Sequence, residues 1–263
     1  MKKITLFIAI LTLALSSCKK DSTVNEFLFP VEKDIQLGQQ LADKIASDPS
    51  TYPVLDSTQY SAAYQYLYAL RDTILKSPDV LYKDKFKWNI KIIKDDSTLN
   101  AFAAPGGFIY VYTGLINYLD HENELIGVLG HEIAHADRRH SINQMKKNMG
   151  TQILISVALG NKSKIGQVLA GLQSLKFSRG DESEADEYSV RYLCGTTYEA
   201  SGAAGFFEKI EAAGGARPPE FMSTHPSPDK RVEAIHKLDT DLNCAGDRTT
   251  GDYAQFKIDL GLN

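Results

Sequence analysis

The sequence predicts an α+β fold, mainly helical, with a small antiparallel sheet flanking one central helix. Three observations lead there. Apolar residues recur at helical spacing through most of the chain, punctuated by Pro and Gly. Only two short stretches near the middle alternate or cluster β-formers as strands do. Between them and the acidic segment further on lies Gly127 to Ser141, GVLGHEIAHADRRHS, an apolar helix with two histidines on one face.

The 263 residues, 43% hydrophobic and 24% charged, suit one well-cored domain. A formal net charge of −4 and the lack of any Lys/Arg-rich run make nucleic acid an unexpected partner.

The N-terminus reads as an address. Met1-Lys2-Lys3 is basic, Ile4 to Leu15 is apolar but short for a membrane span, and Leu15-Ser16-Ser17-Cys18 closes the segment. That ending resembles a bacterial lipobox, which implies cleavage before Cys18 and a lipid on its thiol. An ordinary cleaved signal with a chance cysteine is the alternative. The expected layout is a lipoprotein signal peptide over 1–17 and a lipidated N-terminus and tether over 18–30. A main domain over 31–240 and a packed C-terminal tail over 241–263 follow. No later run spans a bilayer, TQILISVALG at 151–160 included, so the chain is expected outside the cytoplasm, anchored but not spanning.

The elements follow in order. After Pro30, Ile35, Leu37, Leu41 and Ile45 mark a helix that Pro49 stops. Ser57 to Lys76 is a second helix, whose tyrosines at helical spacing read as core packing. Phe86 to Lys94 alternates as a strand. Pro105-Gly106-Gly107 is a turn, and Phe108 to Tyr112 a strand, so Asn100 to Gly114 forms a hairpin. Its Asn100, Ala101, Phe102 and Ala103 are a candidate edge for an extended peptide, held by backbone hydrogen bonds. A plain sheet hairpin is the alternative.

Asp120 is a plausible N-cap for the histidine helix, with Glu122 and Glu124 favoured by the helix dipole. Leu125, Ile126, Leu129 and Ile133 mark its buried side, with His131 and His135 on another face. His140, after Arg138-Arg139, reads as solvated and without a role. Asn143 to Phe177 is mostly helical with a break at Gly160-Asn161, either a hairpin flanking the cleft or a patch on lipid. Cys194 and Cys244 could pair in an oxidising compartment, or be separate buried thiols.

His131-Glu132-Ile133-Ala134-His135 carries the chemistry. Imidazoles four apart on a helix reach one metal ion, and Glu132 between them can hold a water and take its proton. Such a site wants a third protein ligand and an open position. Ser178 to Glu187 offers it: Glu182 and Asp186, four apart on one face, can supply one ligand and one carboxylate to fix a histidine tautomer. Asp181, Glu184 and Glu187 read as solvated charge. Alone, this segment would be an ordinary acidic helix start.

Four stretches then carry a resemblance. NAFAAPGGFIYVYTGL from Asn100, GVLGHEIAH from Gly127, SRGDESEAD from Ser178 and THPSPDKR from Thr224 occur in that order. The chain resembles the HtpX-like zinc metallopeptidases, gluzincins that include the CAAX prenyl endopeptidase and the mitochondrial OMA-type protease, and above all their bacterial outer-membrane lipoprotein branch. The resemblance covers roughly Val31 to Leu238.

It implies a zincin-like metallopeptidase domain with one zinc ion per chain. The ligands would be His131, His135 and Glu182, with Asp186 behind them and Glu132 as general base. It places His225 near the zinc, as oxyanion stabiliser or as a latch in the open position. Arg231 would face the cleft, aiding the oxyanion or supporting the acidic site. It implies an endopeptidase acting on misfolded or stalled envelope proteins. The anchor would sit in the bacterial envelope, in the outer membrane and facing the periplasm, with assembly factors as further partners. The competing reading is a non-catalytic zinc-containing lipoprotein that binds unfolded chains or assembly factors. The chain departs from the family in having no transmembrane helices around the motif and no room after Leu238 for an array of helical repeats.

Overall fold

The computed structural model describes residues 29–213, 220–227 and 230–262. Cys18, the signal segment and the tether up to Leu28 lie outside the described residues. Among the described residues no helix is long and apolar enough to cross a membrane.

The architecture is α+β and mainly helical. In chain order come α1 (Val31–Ala46), α2 (Ser61–Leu75), β1 (Asn89–Ile93), β2 (Ala101–Ala104), β3 (Phe108–Tyr112), α3 (Thr113–Tyr118) and α4 (Glu122–Asp137). Then follow α5 (His140–Met149), α6 (Thr151–Ala158), α7 (Ile165–Gln173), α8 (Arg179–Leu193), α9 (Ala203–Ala212), α10 (Glu220–Thr224), α11 (Arg231–Asp241) and α12 (Tyr253–Asp259). The strand order is β1-β3-β2. The β2–β3 hairpin is antiparallel as expected, but β1 adds to β3 in parallel, so the sheet is mixed.

The expected strand from Phe86 is shorter than its alternation suggested. Trp88 takes a positive φ of 45° and breaks the extended run, although Phe86 and Trp88 stay buried. The hairpin turn needs its glycines: Gly106 and Gly107 have φ of 77° and 82°, where a side chain would be strained.

Helix α4 is the axis of the fold. Every residue from Glu122 to Asp137 is buried, so the expected division into a buried side and an open side does not hold. The sheet, α2, α8 and α9 cover it on all sides. Gly127 makes this possible: a Cβ there would lie 2.2 Å from the Ala203 nitrogen on α9. The Ser189 hydroxyl on α8 donates to the Gly127 carbonyl at 2.8 Å. The start of α4 also differs from expectation. Asp120 is not the cap; it pairs with Lys209, and the helix begins after His121. Glu124 folds back to accept from the Asp120 amide at 2.7 Å, satisfying one of the orphan donors there.

Two apolar cores result. One surrounds α4 and a face of the sheet. The other lies on the opposite sheet face, where α1, α5, α6 and α7 bury Leu37, Leu41, Ile45, Leu154, Val168 and Leu172. Each such side chain contributes about 1.5–3 kcal/mol when fully buried. The stretch from 143 to 177 is therefore packed, with Gly160 at the expected break in a positive-φ turn.

A buried ion pair ties the second core to the end of α4. Arg139, in the left-handed region at φ 60°, turns its guanidinium inward onto Asp34 at 2.7 and 2.9 Å and onto the Phe29 carbonyl at 2.6 Å. Burial pushes the Asp34 carboxyl up to about 6, against the pull of Arg139. At the C-terminus, Tyr253, Phe256, Leu260 and Leu262 are buried on the domain, with Phe256 stacked on Tyr66 at 4.4 Å. Cys194 and Cys244 form a disulfide across a sequence separation of 50.

Candidate active site

Helix α4 brings His131 and His135 to one face, and α8 runs against it carrying Glu182 and Asp186. Their rings converge: His131 Nε2 and His135 Nε2 are 3.0 Å apart. The Glu182 carboxylate lies 3.5 Å from the first and 3.4 Å from the second. The stretch after α10 adds His225, whose Nδ1 is 3.1 Å from Glu182 and 3.4 Å from His131 Nε2. All four ligating atoms lie within 4.8 Å of one another, and none of the four side chains is more than 1% exposed.

This donor set fits a divalent ion. Ligands about 2.0–2.1 Å from a tetrahedral centre sit about 3.3 Å apart, close to the spacings seen. Charge argues the same way. Three carboxylates, Glu132, Glu182 and Asp186, are buried together, while the one guanidinium beside them, Arg231, meets Glu182 and Asp186, so further positive charge is called for in a buried place. Glu132 is the sharpest sign. It is fully buried, no side chain hydrogen-bonds either carboxylate oxygen, and the Ala103 backbone amide is the one donor that faces it among the described residues. Its nearest cation-capable neighbour is His225 Nε2 at 3.5 Å. Burial pushes the Glu132 carboxyl up. Burial would raise Glu182 too, but the three imidazoles around it outweigh that and hold it far below the usual carboxylate range.

The outer nitrogens of the two α4 histidines are also engaged. His131 Nδ1 faces Asp186 Oδ1 at 2.9 Å. Asp186 in turn accepts from Arg231 Nη2 at 2.7 Å, and the same nitrogen reaches Glu182 at 3.0 Å. Arg231 is 2% exposed and lies flat over the Phe207 ring at 3.7 Å. It supports the acidic pair from behind, one of the two places the resemblance left open.

His140 corrects the sequence reading. It is 4% exposed, not solvated, and its Nδ1 lies 3.0 Å from His135 Nδ1. Its Nε2 faces Glu184 at 3.3 Å, so Glu184 is not simply solvated charge. The two arginines before it suggested an open face, but Arg139 turns inward to Asp34. The available signal was spacing: five residues after His135, His140 follows the end of α4 and starts α5, turning back toward the ring.

The edge strand adjoins this centre. Tyr112 donates to the Asn100 carbonyl at 3.1 Å, so in an antiparallel pair the backbone groups of Ala101 and Ala103 face away from β3. The Ala103 carbonyl accepts from the Ser141 hydroxyl at 2.8 Å, and the Ala101 amide donates to the Asn100 side chain at 2.9 Å. The edge is not open: Ala101 and Ala103 are 0% and 4% exposed. Helices α4 and α5 pack against it, and the α10 segment joins just before it, with the Phe221 amide on the Leu99 carbonyl at 3.2 Å and the Phe177 amide on the Thr224 carbonyl at 3.1 Å. Phe221 stacks on His225 at 4.2 Å and Phe177 on His135 at 4.0 Å.

Sequence comparison decides the family, since the profile of Peptidase family M48 matches residues 69–239, well over half of the chain. The chain belongs to Peptidase family M48. That stretch is a metallopeptidase domain, from α2 through α11 and including every residue of the cluster. The chain is 33% identical over 147 residues to the metalloprotease YcaL of Escherichia coli K12, covering 53% of this chain and 58% of that protein. It is 32% identical over 157 residues to the mitochondrial metalloendopeptidase OMA1 of Schizosaccharomyces pombe, covering 57% and 46%. It is 30% identical over 164 residues to the beta-barrel assembly-enhancing protease of Escherichia coli K12, covering 56% and 34%. The chain thus spans between a third and three fifths of the length of these relatives.

Proposed function

We propose that the chain is a zinc-dependent endopeptidase of the bacterial envelope, latched at rest by His225 and acting on misfolded or stalled proteins. The observation that supports it most is a fully buried Glu132 carboxylate that no side chain hydrogen-bonds, beside four converging ligand atoms. A structural zinc site has no use for such a base, which weighs against the non-catalytic binding reading.

His131, His135 and Glu182 would hold the ion, which when bound supplies Lewis acidity to the scissile carbonyl and to the attacking water. Glu132 takes the proton from that water and passes it to the leaving amine. Asp186, with Oδ1 2.9 Å from His131 Nδ1, favours the proton on that nitrogen and so leaves Nε2 free for the ion. Arg231 offsets the charge of Glu182 and Asp186. The substrate strand lies along Asn100 to Ala103, using the outward Ala101 carbonyl and Ala103 amide.

The latch role of His225 is favoured over oxyanion stabilisation for a geometric reason. Its Nδ1 sits among the ligand atoms, where the reacting groups of a substrate would have to enter. Substrate must displace that ring. In the His225→Ala protein, cleavage of casein rises if His225 is a latch and falls strongly if it serves the oxyanion. The wider reading predicts one zinc per chain and chelator-sensitive casein cleavage by the chain from Lys19 onward. If zinc is bound but neither wild type nor His225→Ala cuts casein, the protein is a binder rather than a peptidase. The envelope assignment draws on the lipobox resemblance at Cys18 and on the name of the beta-barrel assembly-enhancing protease. Cys18→Ala is expected to leave the membrane fraction; unchanged fractionation would remove the anchor from the proposal.

A further inference from the structure

A cavity of about 140 Å³ opens beside His225, between the edge strand and the second core. Its apolar walls are Phe102, Tyr112, Leu172, Leu175 and Phe177. They come from three places: the hairpin, the end of α7 and the link into α8. Phe177 also stacks on the His135 ring, so the wall continues into the ligand cluster. Asn100, Gln173, Glu220, Thr224 and His225 bring polar groups to its rim and floor, and no Lys or Arg lines it.

We propose that this cavity receives the substrate side chain flanking the scissile bond, and that it selects aromatic and large aliphatic side chains over small or acidic ones. The proposal rests on the peptidase reading and names its substrate preference. Three arguments lead to it. The cavity borders Ala103 on the strand and His225 at the ligand cluster, so a peptide laid along β2 presents a side chain to it while its backbone passes the reacting centre. Its size is close to the ~150 Å³ of an apolar cavity that holds one benzene ring, and so matches a benzyl side chain. An acidic side chain would meet Glu220 with no cation to offset it, whereas a phenol could donate to Gln173 or Glu220.

The helical hairpin gains a purpose from this. Leu172, buried on α7, and the Leu175–Phe177 link close the far side of the cavity. The packing that the second core supplies therefore also shapes what the enzyme cuts.

The test starts from the zinc-loaded full chain. Cleavage sites in casein are mapped by mass spectrometry. Peptides around one mapped site are then made with Phe, Leu, Ala or Asp at each flanking position. At one position kcat/KM is expected to be at least tenfold higher for Phe or Leu than for Ala, and lowest for Asp. Leu172→Trp fills the cavity from its wall, and Gln173→Trp narrows it from a half-buried position. Each is expected to lower the Phe-to-Ala ratio at least tenfold. If Leu172→Trp fails to fold, Gln173→Trp decides alone. A second readout is binding: zinc-loaded Glu132→Gln should bind the Phe peptide more tightly than the Ala peptide, and filling the cavity should erase that difference. Cleavage with no preference at either flanking position, or a preference that both tryptophan variants leave intact, overturns the pocket. Absence of cleavage by wild type and His225→Ala, with no binding order among the peptides, overturns the peptidase reading and the pocket with it.

Discussion

Removing the imidazole of His140 should weaken zinc binding by 10- to 100-fold. If His135 offers Nε2 to the ion, its Nδ1 carries the proton. Facing that Nδ1 at 3.0 Å is His140 Nδ1, which must then accept. His140 consequently carries its own proton on Nε2, toward Glu184 at 3.3 Å. In His140→Phe the volume is kept but the acceptor is lost, and a buried N–H without a partner costs about 1–3 kcal/mol. A tenfold to hundredfold loss of affinity is about 1.4–2.8 kcal/mol, so the two estimates meet. His140→Ala should fall at the lower end, because water can enter and accept the proton. Glu184→Gln should change affinity by about threefold or less, since that carboxylate is 43% exposed. The assay is competition with a fluorescent zinc chelator at neutral pH. A zinc Kd for His140→Phe within threefold of wild type, in a protein that melts normally, would refute the reasoning.

Four further outcomes follow from the same geometry. Glu132→Gln should keep one zinc per chain by metal analysis yet lose about 10²- to 10⁴-fold in turnover, because an amide cannot take the proton from the attacking water. Arg231→Met leaves Glu182 and Asp186 buried with less compensation, and breaking a buried ion pair of this kind costs about 3–5 kcal/mol; calorimetry should show a melting temperature lower by roughly 6–20 °C. Stripping zinc with a chelator should also lower the melting temperature, since an ion held at about 1,000 times its Kd stabilises the folded state by about 4 kcal/mol. Reducing the Cys194–Cys244 bridge opens a loop with a sequence separation of 50, worth about 4 kcal/mol in chain entropy, and the same scan with and without reductant measures it.

What the sequence made legible follows from how locally each feature is encoded. The histidine pair needed only helix periodicity, and Glu182 with Asp186 needed only a second helix with the same spacing. The β2–β3 hairpin was legible because Gly106 and Gly107 announce their own backbone conformation. His225 and Arg231 were not legible without the resemblance, because a histidine before proline and an arginine near a loop gain meaning only when α8 and α11 meet. His140 was misread for a related reason. Whether Arg138-Arg139 points to water depends on Asp34, 105 residues earlier in sequence. The parallel pairing of β1 and the closure over the edge strand are wholly tertiary; no local pattern distinguishes a strand edge that is open from one against which α4 and α5 pack. This division has a functional side. The parts legible locally are those that bind an ion and move a proton, which any member of such a chemistry must carry on rigid helices. The parts legible only in the fold are His225, its segment, and the cavity between Phe102 and Leu172. In the proposed reading they set when the site opens and which side chain enters it, and they rest on contacts between elements that can change without disturbing the helix that carries the chemistry.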